Sequence, residues 1–272
     1  MIGGEFMNGM KAYSQKQKER RLGLISYNNQ NCLMKIVEYN SSTDIVVEFQ
    51  DENKARVHTR WDHWKEKVVK NPYHKDIYGI ACSGNKINLR QCKREYRTWL
   101  DMLRRCYDTN YHSDKPTYIK CEVCDEWTNY ENFYDWITHQ ENYNKWQEDL
   151  TFHLDKDVRM KRNKIYSPET CCLVPHNINI LFVKADGERG LYPIGVSEHY
   201  KDSGTYMARC NNPFMNKNIQ IGVYATPEEA FMAYKHYKED IIKRVAKEEY
   251  DKQNITQLCY DAMMNYKVEI TD

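Results

Sequence analysis

No stretch of this 272-residue chain approaches the roughly 20 uninterrupted apolar residues of a membrane-spanning helix. The start also lacks the apolar core of a secretory leader, so neither a membrane nor an export route is expected. Net charge is missing too: 40 Lys+Arg stand against 39 Asp+Glu, leaving +1. That balance excludes a simple polycation. Internal repeats and low-complexity tracts are absent, which excludes a solenoid. Wholesale disorder is excluded by a charged fraction of 29% beside a hydrophobic fraction of 41%. Met1 to Phe6 (MIGGEF, followed by a second Met) reads more like a cloning remnant than native sequence.

What is present is uneven. Ten cysteines without an export signal imply a reducing compartment, where they act as free thiols or metal ligands and not as disulfides. Twenty-two tyrosines and six tryptophans supply many flat, amphipathic contact groups. The neutral total hides basic islands. Lys11 to Arg21 carries five basic residues to one acidic, Lys54 to Lys70 six to two, and Lys86 to Arg105 seven to two. Lys156 to Lys164 carries five to one, while Glu122 to Leu150 carries one basic residue against eight acidic. Such islands suit phosphate contacts, and equally suit solvated helix faces.

Three textures follow one another. From about Gly23 to Ser83, β-branched and aromatic runs at Cys32–Tyr39, Asp44–Gln50 and Ala55–Thr59 predict a small twisted antiparallel sheet, open or curled into a partial barrel. Asn40–Thr43 supplies the hairpin turn. Within Arg56–Lys67, bases alternate with Trp61 and Trp64, which suits stacking on nucleic acid or a plain core stripe, the latter favoured by their helical spacing. From Lys86 to Phe182, Tyr96, Trp99, Leu100, Leu103 and Tyr107 recur at helical spacing with an Arg/Lys face. Trp127–Ile137 predicts a second helix, Phe152–Pro175 a strand-turn segment, and Asn177–Phe182 the start of another helix. Lys184–Gly190 reads as a linker. Beyond it come three short strands at 195–196, 206–210 and 219–224. Thr226-Pro-Glu-Glu229 then provides an N-cap, a first-turn proline and acidic residues that complement the helix dipole. The helix should run from about Pro227 to Glu249, with Ala230, Ala233, Tyr234 and Tyr237 on the sheet.

Gly195-Val-Ser197, Gly204-Thr-Tyr-Met-Ala-Arg209 and Ile221-Gly-Val-Tyr-Ala-Thr-Pro-Glu-Glu-Ala-Phe-Met-Ala-Tyr234 together resemble the APETALA/ethylene-response-factor DNA-binding domain. The resemblance covers about 55 residues and implies three antiparallel strands on one helix, the sheet docking in the major groove of duplex DNA. His199, Lys201, Arg209, Lys217 and Gln220 are its candidate DNA contacts, since long polar side chains on such a ribbon reach base edges. Plant members carry several arginines here. This chain offers Lys201, Arg209 and Lys217 against Glu198 and Asp202.

The middle segment resembles the HNH nucleases of phages and mobile elements. Its landmarks are Tyr96–Tyr107 (YRTWLDMLRRCY), Val123–Trp127 (VCDEW), Asn132-Phe133, Leu154–Asp157 (LDKD), Tyr166–Cys171 (YSPETC) and Asn179, in the family's order over nearly 90 residues. With the C-terminal module, the arrangement is similar to phage homing endonucleases. The resemblance implies a ββα finger that holds Mg²⁺ or another divalent ion at the scissile phosphate, and a location in the bacterial host cytoplasm. Asp155 matches the metal-binding carboxylate. Lys156, however, stands where the general-base His is expected, and a protonated Lys is a poor base. Thr170 stands where the metal-binding Asn belongs. His153, Asp157, His176 and Asn179 are the available substitutes. Arg94, Arg97, Arg104, Lys161 and Arg162 would grip the DNA backbone.

Cys121-Glu-Val-Cys124 has CxxC spacing, with Cys106 upstream and Cys171-Cys172 downstream. Cys106, Cys121, Cys124 and Cys171 could hold a structural Zn²⁺, as in some HNH proteins, or be buried free thiols.

The expectation is an α+β chain: an N-terminal β-rich module over 7–85, an HNH-like domain over 86–183, a linker over 184–190, a DNA-binding domain over 191–250 and a tail over 251–272. Two functions compete. One is a phage-type endonuclease making metal-dependent cuts in duplex DNA. The other is a catalytically inactive relative acting by binding, as a DNA-bound regulator or as an anti-defence inhibitor that sequesters a host protein. A purely structural oligomer is a third.

Overall fold

The computed structural model describes residues 15–182 and 191–272. The expected linker at 184–190, the cloning remnant and the start of the first basic island lie outside the described residues. The chain is α+β and divides into two compact units. The first comprises the chain up to Trp99 with Asp125–Tyr134, and the second Leu100–Cys124 with Asp135–Asp272.

The first unit contains an open antiparallel meander, β1 (Ile25–Tyr27), β2 (Leu33–Ser41), β3 (Asp44–Phe49) and β4 (Arg56–Thr59), in the order β1-β2-β3-β4. Three of these strands match the β-branched runs in the sequence. β1 and β4 end the order, so the sheet does not close into a barrel. Alternation buries Met34, Ile36, Ile45, Val47 and Phe49, and helix α1 (Trp61–Lys65) covers them with Trp64. Trp64 is therefore a core residue. Trp61 is half-buried, and the Arg21 guanidinium sits 4.1 Å from its ring centroid. Nearby cations are spoken for, Arg56 by Glu48 at 2.9 Å and Arg60 by Asp62 at 2.9 Å.

The same unit contains a buried carboxylate, Glu131, on α4 (Tyr130–Thr138). α2 (Lys93–Tyr107) contributes its first half here, and Trp99 Nε1 donates to the Trp127 carbonyl at 2.7 Å. Glu131 accepts the Tyr73 hydroxyl at 3.0 Å and the backbone N–H groups of Asn85 and Lys86 at 2.9 and 2.7 Å. Burial and this carboxylate push the Tyr73 phenol up to about 12. Gly84, at φ +66°, lets the turn pass the carboxylate, because a Cβ there would lie 2.3 Å from it.

The second unit holds everything from Leu100 to Cys124 and from Asp135 onward. Its short helices α3 (Thr109–Asp114) and α5 (Tyr143–Glu148) were not evident in the sequence, since neither has a repeating apolar stripe. β5 (Glu122–Val123) pairs in parallel with β7 (Ile165–Tyr166), and β6 (His153–Asp155) pairs antiparallel with β8 (Cys172–Val174). α6 (His176–Asn179) follows β8 directly, so β6, β8 and α6 form the ββα order. β9 (Val196–Glu198), β10 (Tyr206–Asn212) and β11 (Lys217–Tyr224) form a second antiparallel sheet with β10 in the centre.

Helix α7 (Pro227–Asp251) begins as its sequence dictates, with the Thr226 hydroxyl accepting the Glu229 N–H at 3.2 Å. Its first half places Ala230, Ala233, Tyr234 and Tyr237 against the sheet with Ala208 and Cys210, as the spacing predicts, and adds Phe231, which lies outside the expected stripe. Its second half does something else. Ile241, Ile242, Val245 and Ala246 pack against Val158, Cys172, Val174 and Ile178 of the ββα element. α8 (Gln257–Met264), in what the sequence presents as a tail, closes this core with Cys259 and Met263.

Two outcomes are expected in urea titrations. Glu131→Ala removes the acceptor of a half-buried phenol and of two part-buried backbone N–H groups and should cost about 1–3 kcal/mol. Ile242→Ala should cost about 2–5 kcal/mol, as a buried isoleucine losing its packing.

Candidate nucleic-acid interface and the cavity beside it

The β9–β11 sheet turns one face to α7 and the other outward. A bulge between Ala208 and Arg209 leaves Ile221 without a partner on β10, and brings Arg209 opposite Gln220 and Asn211 opposite Asn218. All four side chains are exposed on the outer face, where Ser197 and Val223 also lie. Gly195, at φ +75°, makes the sheet fit its helix, because a Cβ would meet the Tyr234 ring at 2.1 Å. Arg209 and Gln220, both expected contacts, are thus direct neighbours. Asn211 and Asn218 went unremarked in the sequence, although alternation from Arg209 and Gln220 points to them. His199 sits against the Tyr200 ring at 4.0 Å, Lys201 is exposed in the β9–β10 turn, and Lys217 opens β11.

On α2, Arg97 is exposed and Arg94 half-buried. Arg104, further along, ion-pairs with Asp101 at 3.3 Å and stacks 4.9 Å from the Tyr111 ring. Lys161 and Arg162 are bound by the 267–272 segment. Lys161 meets Asp272 at 2.5 Å, and Arg162 donates to the Thr271 hydroxyl at 2.6 Å.

The ββα element opens on a cavity of about 550 Å³ whose wall includes His153, Asp155, Lys156, Asp157 and Asn179. These are the residues the HNH resemblance singles out, with two exceptions. Thr170 is not in that wall. Its hydroxyl donates to the Ile165 carbonyl at 2.7 Å and accepts the Ser167 N–H at 3.2 Å, holding the turn before β8. His176 also lies outside the wall, but its Nδ1 is 3.3 Å from His153 Nε2.

Asp155 is buried, and one oxygen accepts the N–H groups of Asp157 and Val158 at 2.7 and 2.8 Å. Burial raises its carboxyl above the usual range despite those bonds. Burial alone would push Lys156 down, but the Asp157 carboxylate, with both oxygens at 2.8 Å, holds the ammonium above its ordinary value. A third bond runs to the Asn163 carbonyl at 3.0 Å. An ammonium so held has no lone pair with which to take a proton.

The donors do not fit a divalent ion. Asp157 is neutralised by Lys156, Thr170 is turned away, and Asp155 brings a single buried carboxyl group. Among the described residues, no three His, Cys, Asp or Glu side chains gather as a metal-ligand group. Of the candidate zinc thiols, burial pushes Cys106 up to about 12 and raises Cys121 and Cys171, while Cys124 is half-buried.

Asn at position 155 could accept the same two N–H groups without a buried charge. Because the folded-state pKa of Asp155 is raised, the native side chain costs stability as pH rises through that value, and costs nothing below the unfolded carboxyl pKa. Asp155→Asn should therefore melt like the native protein near pH 3 and higher than it at pH 8, by thermal denaturation followed by circular dichroism.

Comparison of the chain with known protein families, with characterised proteins and with solved structures finds no match.

Proposed function

We propose that this chain binds duplex DNA through the outer face of β9–β11 and holds it without cutting, acting as a DNA-bound regulator. The observation that carries this reading is the exposed quartet Arg209, Gln220, Asn211 and Asn218, set in two facing pairs by the bulge. Arginine pairs bidentately with guanine, and Asn or Gln with adenine, on the major-groove edge. A two-stranded ribbon has the width to enter that groove. Exposed Lys201, in the turn between β9 and β10, suits phosphate contacts beside the quartet, whereas Lys217 pairs with Asn212, whose side chain bonds Tyr237 of α7, and so lies on the helix side of the sheet. Binding without hydrolysis is favoured by the commitment of Lys156 to Asp157 and of Thr170 to Ile165.

Duplex selection from a random pool, followed by mobility-shift titration, tests it. Arg209→Ala and Gln220→Ala should each weaken the selected site by about 1–3 kcal/mol. Lys201→Ala should weaken all sequences alike and flatten the salt dependence. Plasmid incubated with Mg²⁺, Mn²⁺ or EDTA should stay intact. Metal-dependent nicking that disappears in Asp155→Ala would establish the endonuclease instead. No affinity for DNA, with a stable complex formed with a host protein, would point to sequestration.

A further inference from the structure

The cavity beside β6 has a charge balance that a phosphodiester strand does not match. Five cations reach its wall: Arg105, Lys156, Lys161, Arg162 and Lys164. Three are already neutralised, Lys156 by Asp157 and both Lys161 and Arg162 by Glu269 and Asp272. The remaining two are not. Among the described residues, no carboxylate lies within 4.0 Å of Arg105 or Lys164, Asp155 included. Arg105, on the last turn of α2, lies beside the Tyr166 phenol and 5.8 Å from the Tyr118 ring centroid. Lys164 donates to the Thr117 carbonyl at 3.0 Å and keeps two N–H bonds to offer.

Two uncompensated positive charges on one wall call for an anion near −2. A phosphate monoester carries about −1.5 to −2 at neutral pH, whereas each phosphodiester of a strand carries −1. The rest of the wall is aromatic. Tyr118 and Tyr166 stand by the cations, and Phe182 and Tyr266, edge to face with centroids 4.9 Å apart, line the same space. A volume of about 550 Å³ holds a small molecule of nucleotide size. We propose that this cavity binds the phosphate monoester of a nucleotide, its phosphate on Arg105 and Lys164 and its base against the aromatic wall. The site is separate from the DNA-reading face and does not depend on it.

Calorimetric titration of the full chain with AMP, GMP, CMP and TMP, the matching nucleosides and inorganic phosphate tests this. At least one nucleotide should bind, more tightly than inorganic phosphate, and its nucleoside should not. Arg105→Met and Lys164→Met should each weaken that nucleotide roughly 10- to 100-fold, while Arg209→Ala leaves it unchanged. Lys164 is exposed, so its variant decides the matter if Arg105→Met fails to fold. A 5′-phosphorylated oligonucleotide run against its 5′-hydroxyl form separates a strand end from a free nucleotide as the source. Weakened binding of the selected duplex by Arg209→Ala with nucleotide binding intact keeps the two sites distinct. The proposal fails if nucleosides or inorganic phosphate bind as well as nucleotides, if nothing binds at about 1 mM, or if Lys164→Met binds like the native chain.

Discussion

Helix α7 is the constraint on which the second unit depends. One continuous 25-residue helix carries two apolar stripes, and each has a different partner. Its first half is the floor of the β9–β11 sheet, and its second half is a wall of the core that contains β8 and α6. A helix rises about 1.5 Å per residue and resists bending, so both attachments share one rigid axis. Polar groups reinforce the second attachment. Buried Glu249 accepts from Asn177 on α6 at 2.9 Å and from Asn254 at 2.7 Å. Asn142 donates to the carbonyls of Leu173 and Asn254, tying α5 to β8 and to the turn after α7.

That arrangement separates two chemistries. The outward sheet face exposes Arg209, Asn211, Asn218 and Gln220, and among the described residues no carboxylate pairs with Arg209. The cavity at the ββα element is the reverse, a recess where burial raises Asp155 and where most charges are already paired. Pairing is what decides its chemistry. Lys156 cannot act as a base while Asp157 grips it, and Lys161 and Arg162 are satisfied by the 267–272 segment before any phosphate arrives. Desolvation makes an uncompensated charge there costly, and that gives Arg105 its significance.

Much of the fold was legible in the sequence because it rests on local rules. The β2–β3 hairpin, the start of α7 at Thr226-Pro227 and the stripe Ala230, Ala233, Tyr234, Tyr237 follow from alternation, capping and helical spacing. β1, α3 and α5 were not legible, since three to six residues are too few to show a period. The site was legible in part. Asp155, Arg209 and Gln220 stand out by motif and spacing. Asn211 and Asn218 needed the strand register, and the fate of Thr170 needed to be seen in its turn.

By itself, then, the sequence determined the residue types, the α+β alternation and the polar character of the last sheet, all of which depend on neighbours within a few positions. Tertiary structure decided which charges remain without a partner. Lys156 and Asp157 adjoin in the chain, but Asp272 reaches Lys161 across more than a hundred residues, and the phenols around Arg105 come from separate segments. Electrostatic free energy depends on distance in space and on desolvation, and neither can be read along a chain.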